Sequence, residues 1–121
     1  MNDVCVLVVD DEPGMRETLV DILTGSGYRV MSAPDGESAL AAIRANQFNV
    51  VVMDIRMPGI DGVSVLQEID GPPPQVILMT AYSRAERIRE ALELKAYAVV
   101  SKPFPVPELL GLVASAADKP A

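Results

Sequence analysis

Short apolar runs recur along the chain and predict five β-strands. The runs show little alternation of polar and apolar residues, which is typical of strands buried on both faces of a parallel sheet. The second run is more mixed in polarity and therefore predicts a strand at the edge of the sheet. The predicted strands cover residues 4–9, 28–33, 49–53, 75–79 and 97–100.

Between these runs, apolar residues lie three or four positions apart, which predicts helices with one buried face. Pro13 suits the first turn of a helix and Asp35 suits an N-cap, so each marks the start of a helix. A helix predicted over 83–94 turns Leu92 toward the core, and the last helix starts near Val106. Five strands that alternate with five helices indicate an α/β fold of parallel βαβ units with right-handed crossovers.

The chain length of 121 residues suits one domain with one substantial core. We expect a single domain over 1–121, with its core over about 3–117 and a tail or the start of a linker at 118–121. No apolar run approaches the length of a membrane span, and the N-terminus lacks a signal-peptide pattern. The expected location is the cytoplasm.

The net charge and the residue types that are present exclude several classes of function. The net charge of −7 argues against direct binding of nucleic acid or of anionic membranes, which need clustered Lys and Arg. The chain has no histidine, which removes Ser-His-Asp and Cys-His catalysis and histidine metal sites. Cys5 is the one cysteine and lies in an apolar run, so it predicts a buried thiol rather than a disulfide framework.

Polar side chains follow four of the five predicted strands. Asp10 and Asp11 follow the first strand, Asp54 the third, Thr80 the fourth and Lys102 the fifth. These groups meet at one edge of the sheet if the strands are parallel. Carboxylate oxygens without His or Cys suit a hard cation, above all Mg²⁺. A hydroxyl and an ammonium beside them would stabilise a phosphoryl group on a carboxylate.

Each of these groups also has a structural explanation when taken alone. The acidic run 10–12 could cap the first helix, and Asp54 could serve a turn or a cap. Thr80 could bond to backbone, and Lys102 could be solvated. Their joint placement at the ends of different strands favours a functional site.

Four sequence segments, in this order and spacing, resemble the receiver domains of response regulators. They are VVDDE at 8–12, DIRMPGIDG at 54–62, MTA at 79–81 and KPF at 102–104. The resemblance covers almost the whole chain. It implies a flavodoxin-like (βα)5 three-layer sandwich, with a parallel five-stranded sheet of order 2-1-3-4-5 and a cis peptide bond between Lys102 and Pro103.

The resemblance also implies roles for individual residues. Asp54 becomes the phosphoacceptor. Mg²⁺ is bound by Asp11, Asp54 and the backbone carbonyl of Arg56, and by Asp10 largely through water.

The phosphoryl oxygens are bound, by the same resemblance, by Thr80, Ala81, Lys102 and the backbone N–H of Arg56. Switching and output are assigned to Thr80, Val99 and Tyr97. Two positions depart from the family pattern. Val99 stands where many members carry an aromatic residue, and Lys95 stands where a glycine is common, so we expect output to proceed without the usual aromatic side chain of strand five.

The resulting interpretation is a phosphorylation-dependent switch of a two-component system. The expected partners are a sensor histidine kinase or phosphotransfer protein and a downstream output domain or protein. A homodimer through the helix before strand five, strand five and the last helix is a further expectation. The domain would catalyse only its own phosphotransfer and dephosphorylation, so it is not an enzyme in the metabolic sense.

Two alternatives remain open from the residues. A Mg²⁺-dependent phosphohydrolase of the aspartyl-phosphate type would carry Asp-x-Asp after the first strand, but Glu12 occupies the second aspartate position, and no cap domain is visible. A degenerate receiver that serves only for docking would be expected to lack the reactive groups, yet Asp54, Thr80 and Lys102 are all present.

Overall fold

Strands and helices alternate over residues 5–80, as the sequence pattern predicts. The computed structural model describes residues 3–69, 74–81, 89, 92–93 and 96–118. The elements, in order, are β1 (Cys5–Val9), α1 (Pro13–Gly25), β2 (Arg29–Ala33), α2 (Gly36–Ala45), β3 (Val50–Asp54), α3 (Gly62–Gln67), β4 (Gln75–Thr80), β5 (Ala98–Ser101) and α4 (Val106–Ala117).

The predicted 83–94 helix lies mostly outside the described residues. Positions 89, 92 and 93 are helical. The prediction that Leu92 faces the core is wrong, because its side chain is 53% exposed. Apolar spacing alone does not fix which side of a helix meets the sheet.

All strand pairings are parallel, and the strand order is β2-β1-β3-β4-β5, as predicted. The chain first adds β2 on one side of β1 and then returns to add β3 on the other side. This reversal makes the gap between the carboxyl ends of β1 and β3 the place where α/β folds form a crevice. Since Val9 pairs with Met53, the residues that follow each of them, Asp10 and Asp54, start at the same level of the sheet.

The sheet is covered on both faces, which confirms the three-layer sandwich. One core contains Leu7 and Val51 with side chains of α2 and α3. The other contains Val8 and Val52 with side chains of α1 and α4. Successive strand residues point to opposite faces. Both sets are therefore apolar, and this explains why the strand sequences do not alternate in polarity.

The turn after β3 is packed closely against the end of that strand. Asp61 caps α3 by accepting a hydrogen bond from the N–H of Ser64 at 2.8 Å. Gly62 begins this helix where a Cβ atom would lie 2.7 Å from the carbonyl oxygen of Asp54. Only a residue without a side chain allows this approach, so Gly62 helps to hold the backbone on the C-terminal side of Asp54.

Candidate functional site

Three carboxylates gather at the carboxyl edge of the sheet. Asp10 directly follows β1, and its side chain is only 1% exposed, whereas Asp54 is the last residue of β3 and its side chain is 13% exposed. Asp11 is exposed. Carboxylate oxygens of these three residues all lie within 4.8 Å of one another. The predicted acidic cluster is therefore present in the fold.

Asp54 lies one residue further inside the strand than predicted. Its partner in the sheet is Met79, and the N–H of Ile55 donates to the carbonyl oxygen of Met79 at 2.8 Å. Pairing with β4 therefore continues to the site. The N–H of Arg56 donates to Oδ1 of Asp54 at 3.1 Å. The carboxylate is thus oriented by the rigid strand before it and by a backbone donor after it.

Lys102 bridges two of the carboxylates. Its Nζ donates to Oδ2 of Asp10 at 2.8 Å and to Oδ2 of Asp54 at 2.9 Å. Burial by itself would lower the pKa of Lys102, but the hydrogen bonds and charges of Asp10 and Asp54 outweigh it and raise this pKa above its ordinary value. The ammonium therefore remains charged at neutral pH and offsets the repulsion between the carboxylates.

The backbone around Lys102 fixes where its side chain starts. The N–H of Lys102 donates to the carbonyl oxygen of Thr80 at 2.7 Å, and the peptide bond between Lys102 and Pro103 is cis, as expected. Thr80 ends β4, pairs with Ser101 and is only 3% exposed. Ala81 follows it and is exposed. The predicted phosphoryl-binding residues therefore occupy the same edge of the sheet as the carboxylates.

Asp10 is held from several directions. Its N–H donates to the carbonyl oxygen of Ala33 at 3.3 Å, and its Oδ1 accepts from the N–H of Glu12 at 3.0 Å. Its carbonyl oxygen accepts from Nη1 of Arg16 at 2.8 Å. Arg16 is not among the residues predicted for the site. Its position one turn into the helix that follows the acidic run was the only signal that could have identified it.

The predicted output residues do not form one surface. Val99 pairs with Leu78 in the sheet and packs against the core beneath α2 and α3. Tyr97 precedes β5 and packs against the core beneath α1 and α4. Tyr97 is also tied to the sheet, since its N–H donates to the carbonyl oxygen of Val76 at 2.7 Å. The two side chains contact opposite layers of the sandwich.

Fold and site together define a flavodoxin-like α/β domain with an acidic crevice between the carboxyl ends of β1 and β3. Residues 6–114 match the response regulator receiver domain family. The chain therefore belongs to that family, and it is a phosphoacceptor signalling switch of the two-component type. This assignment favours the switch over the phosphohydrolase alternative. Among the described residues, no helix is both long and apolar enough to cross a membrane.

Similar proteins cover most of the chain. Sporulation initiation phosphotransferase F of Bacillus subtilis is 33% identical over 106 residues, which are 86% of this chain and 86% of that protein. A CheY-like receiver domain protein of Methanospirillum hungatei is similar in structure, with a TM-score of 0.92, 28% identity and coverage of 97% of this chain and 95% of that one.

A third similar protein was solved with ligands. Response regulator protein TrrA of Thermotoga maritima, in complex with Mg(2+)-BeF, has a TM-score of 0.85 and 36% identity, with coverage of 93% of this chain and 98% of that one. By contrast, the chain spans only 23–24% of the length of three longer curated regulators that it matches.

Proposed function

We propose that Asp54 receives the phosphoryl group. The observation that carries this proposal is the pair of contacts on its carboxylate: Oδ1 faces the N–H of Arg56 and Oδ2 faces the ammonium of Lys102. Both donors would also stabilise charge on a phosphoryl group attached there. A carboxylate oxygen attacks phosphorus, the P–N bond of a phosphohistidine or the P–O bond of acetyl phosphate breaks, and its electron pair leaves with the imidazole or the acetate.

The donor set fits Mg²⁺. Three carboxylates with oxygens within 4.8 Å of one another offer hard ligands, and the cationic ammonium of Lys102 already lies between two of them. The proposed ligands are Asp11, Asp54 and the carbonyl oxygen of Arg56, with Asp10 acting largely through water. When bound, the ion would neutralise charge shared by the carboxylates and the phosphoryl oxygens.

Burial supports different roles for Asp10 and Asp11. The carboxylate of Asp10 is buried, and its two oxygens already accept from the N–H of Glu12 and from Lys102. Asp11 is exposed at the mouth of the crevice. A carboxylate that is open to solvent can exchange water for a metal ion more readily than the side chain of Asp10, which is only 1% exposed, compared with 13% for that of Asp54. We therefore assign direct coordination to Asp11.

The remaining groups would hold the transferred phosphoryl. Thr80 contributes a hydroxyl at the end of β4, Lys102 an ammonium, and Ala81 and Arg56 contribute backbone N–H groups. When a dianionic phosphoryl group is attached to Asp54, the donors bind the phosphoryl oxygens in place of their present partners. The changes at Thr80 and Lys102 reach β4 and β5, and so provide the start of an output signal that includes Val99 and Tyr97.

One partner must supply the phosphoryl group, and another must bind the domain according to whether Asp54 is phosphorylated. We assign these roles to a sensor histidine kinase or phosphotransfer protein and to an output domain or protein in the cytoplasm. The domain would itself catalyse only transfer to Asp54 and slow hydrolysis. We also propose homodimerisation through β5, α4 and the helix before β5 as a route of output. The longer regulators among the relatives support an output domain in the same chain as one arrangement.

The acceptor is tested by intact-mass measurement after incubation with Mg²⁺ and acetyl phosphate. Wild-type protein should gain the mass of one phosphoryl group, and Asp54→Asn should gain none. Asp21→Asn, an exposed carboxylate on α1, is the matched control and should label like the wild type. Equal labelling of Asp54→Asn would refute the assignment.

A further inference from the structure

Arg16 bonds to both ends of the acidic segment between β1 and α1. Its Nη1 donates to the carbonyl oxygen of Asp10 at 2.8 Å. Its backbone N–H donates to the carbonyl oxygen of Glu12 at 3.0 Å. Asp11 lies between these two anchor points. The second bond is the ordinary first hydrogen bond of a helix and is also present in α2 and α3, so the contact specific to the Arg16 side chain is the one that anchors the carbonyl preceding Asp11.

The contact with the carbonyl of Asp10 acts on Asp11 through the peptide plane. The carbonyl oxygen of Asp10 and the N–H of Asp11 belong to the same rigid planar unit. Holding this oxygen fixes the plane from which the Asp11 side chain departs. The carboxylate of Asp10 is secured separately by Glu12 and Lys102, so it does not depend on the guanidinium in the same way.

No side-chain cap performs this task at the start of α1. Glu12 occupies the N-cap position, and its side chain makes no capping hydrogen bond there. In α2 and α3, by contrast, Asp35 and Asp61 fix the helix start through side-chain caps at 2.7 and 2.8 Å. The charged donor on the carbonyl of Asp10 replaces the missing constraint at a helix start that adjoins the acidic cluster.

We propose that Arg16 is a positioning residue for the metal site, which holds the 10–11 peptide so that the carboxylate of Asp11 is directed at Mg²⁺. The role rests on the Mg²⁺ site proposed above. Arg16 is one of the partly buried residues of α1, so its guanidinium has few alternative positions. Outer partners of this kind orient the ligands that touch a metal.

A positioning role and simple electrostatics predict changes of opposite sign in Mg²⁺ affinity when the guanidinium of Arg16 is removed. The guanidinium carries a positive charge close to the acidic cluster, and that charge alone repels a divalent cation. Its removal would therefore raise Mg²⁺ affinity if charge were all that mattered. If Arg16 positions Asp11, its removal lowers Mg²⁺ affinity despite the relief of that repulsion.

The test is a Mg²⁺ titration followed by backbone amide NMR shifts. Arg16→Met keeps the length of the side chain but removes every donor, and we expect its affinity to fall about tenfold, the lower end of the range for groups that orient metal ligands. Arg16→Lys keeps one charged donor and should recover part of the loss. Arg29→Met removes an exposed arginine at the start of β2, at the opposite edge of the sheet, and should leave the affinity unchanged.

A second measurement is made without metal. The amide signals of Asp11 and Glu12 should move in Arg16→Met and stay in place in Arg29→Met, while thermal melting shows that both variants are folded. If Arg16→Met does not fold, Arg16→Leu, which also removes every donor, takes its place with the same expectations.

Mg²⁺ affinity in Arg16→Met equal to or higher than in the wild type would overturn the positioning role. An equal loss in Arg29→Met would also overturn it, because the loss would then not depend on the contact between the guanidinium of Arg16 and the carbonyl oxygen of Asp10. Wild-type protein that binds no Mg²⁺ would instead overturn the proposed metal site, and the role of Arg16 with it.

Discussion

Replacement of Lys102 by methionine should destabilise the metal-free protein strongly. The ammonium lies 2.8 Å from Oδ2 of Asp10 and 2.9 Å from Oδ2 of Asp54, and the Lys102 side chain is only 13% exposed. At an effective dielectric constant near 20, each contact contributes about 6 kcal/mol of Coulomb attraction. Desolvation of the ammonium offsets much of this sum, but truncation leaves two adjacent carboxylates without their cation, and the expected net loss is about 3–5 kcal/mol.

Equilibrium unfolding in urea measures this loss. With a slope near 2 kcal/mol/M, a loss of about 4 kcal/mol moves the midpoint down by about 2 M. Arg29→Met, which removes an exposed cation, is the control and should change the midpoint little. Excess Mg²⁺ should recover part of the loss in Lys102→Met, because a bound dication replaces the missing charge. A loss below about 1 kcal/mol, the size typical of exposed ion pairs, would show that this bridge is not a buried one.

The same bridge predicts a dependence on alkaline pH. Folding raises the pKa of Lys102 above its ordinary value of 10.5. Its contribution to the free energy of unfolding is therefore complete below the ordinary pKa and is lost as pH rises through the raised one. Wild-type protein should lose stability in strongly alkaline solution more steeply than Lys102→Met. If the free energy of unfolding falls equally steeply with pH in the two proteins, the pKa of Lys102 is not raised by the bridge.

Three further predictions concern the metal, the turn after β3 and the output. Asp11→Asn should weaken Mg²⁺ binding more than Asp10→Asn in a titration, and the reverse order would refute direct coordination by Asp11. Gly62→Ala should lower the free energy of unfolding by about 1–3 kcal/mol in urea, because its Cβ would lie 2.7 Å from the carbonyl oxygen of Asp54. Beryllofluoride with Mg²⁺ should shift amide NMR signals along β5 in the wild type. If the shifts stay within the site in the wild type and reach β5 only in Val99→Tyr, the switch needs an aromatic residue at position 99 and the prediction is wrong.

The sequence alone determined the order and kind of the elements in the described part of the chain. Apolar runs locate strands because both faces of a central parallel strand are buried, and this requirement is local to each run. Asp35 and Asp61 act within three residues of their own positions, so the caps of α2 and α3 also follow from local chemistry. Polar residues at the carboxyl ends of parallel strands necessarily lie at the same edge of the sheet.

Only the tertiary structure decided how those groups engage one another. Lys102 is 92 residues from Asp10 and 48 from Asp54, and its bridge depends on strand order, register and side-chain direction together. Arg16 contacts a main-chain carbonyl, and because every residue has one, the sequence does not show which residue is the acceptor. The exposure of Leu92 likewise depends on how its helix is turned against the sheet. Local patterns fix where side chains begin, whereas packing between distant elements fixes what they touch.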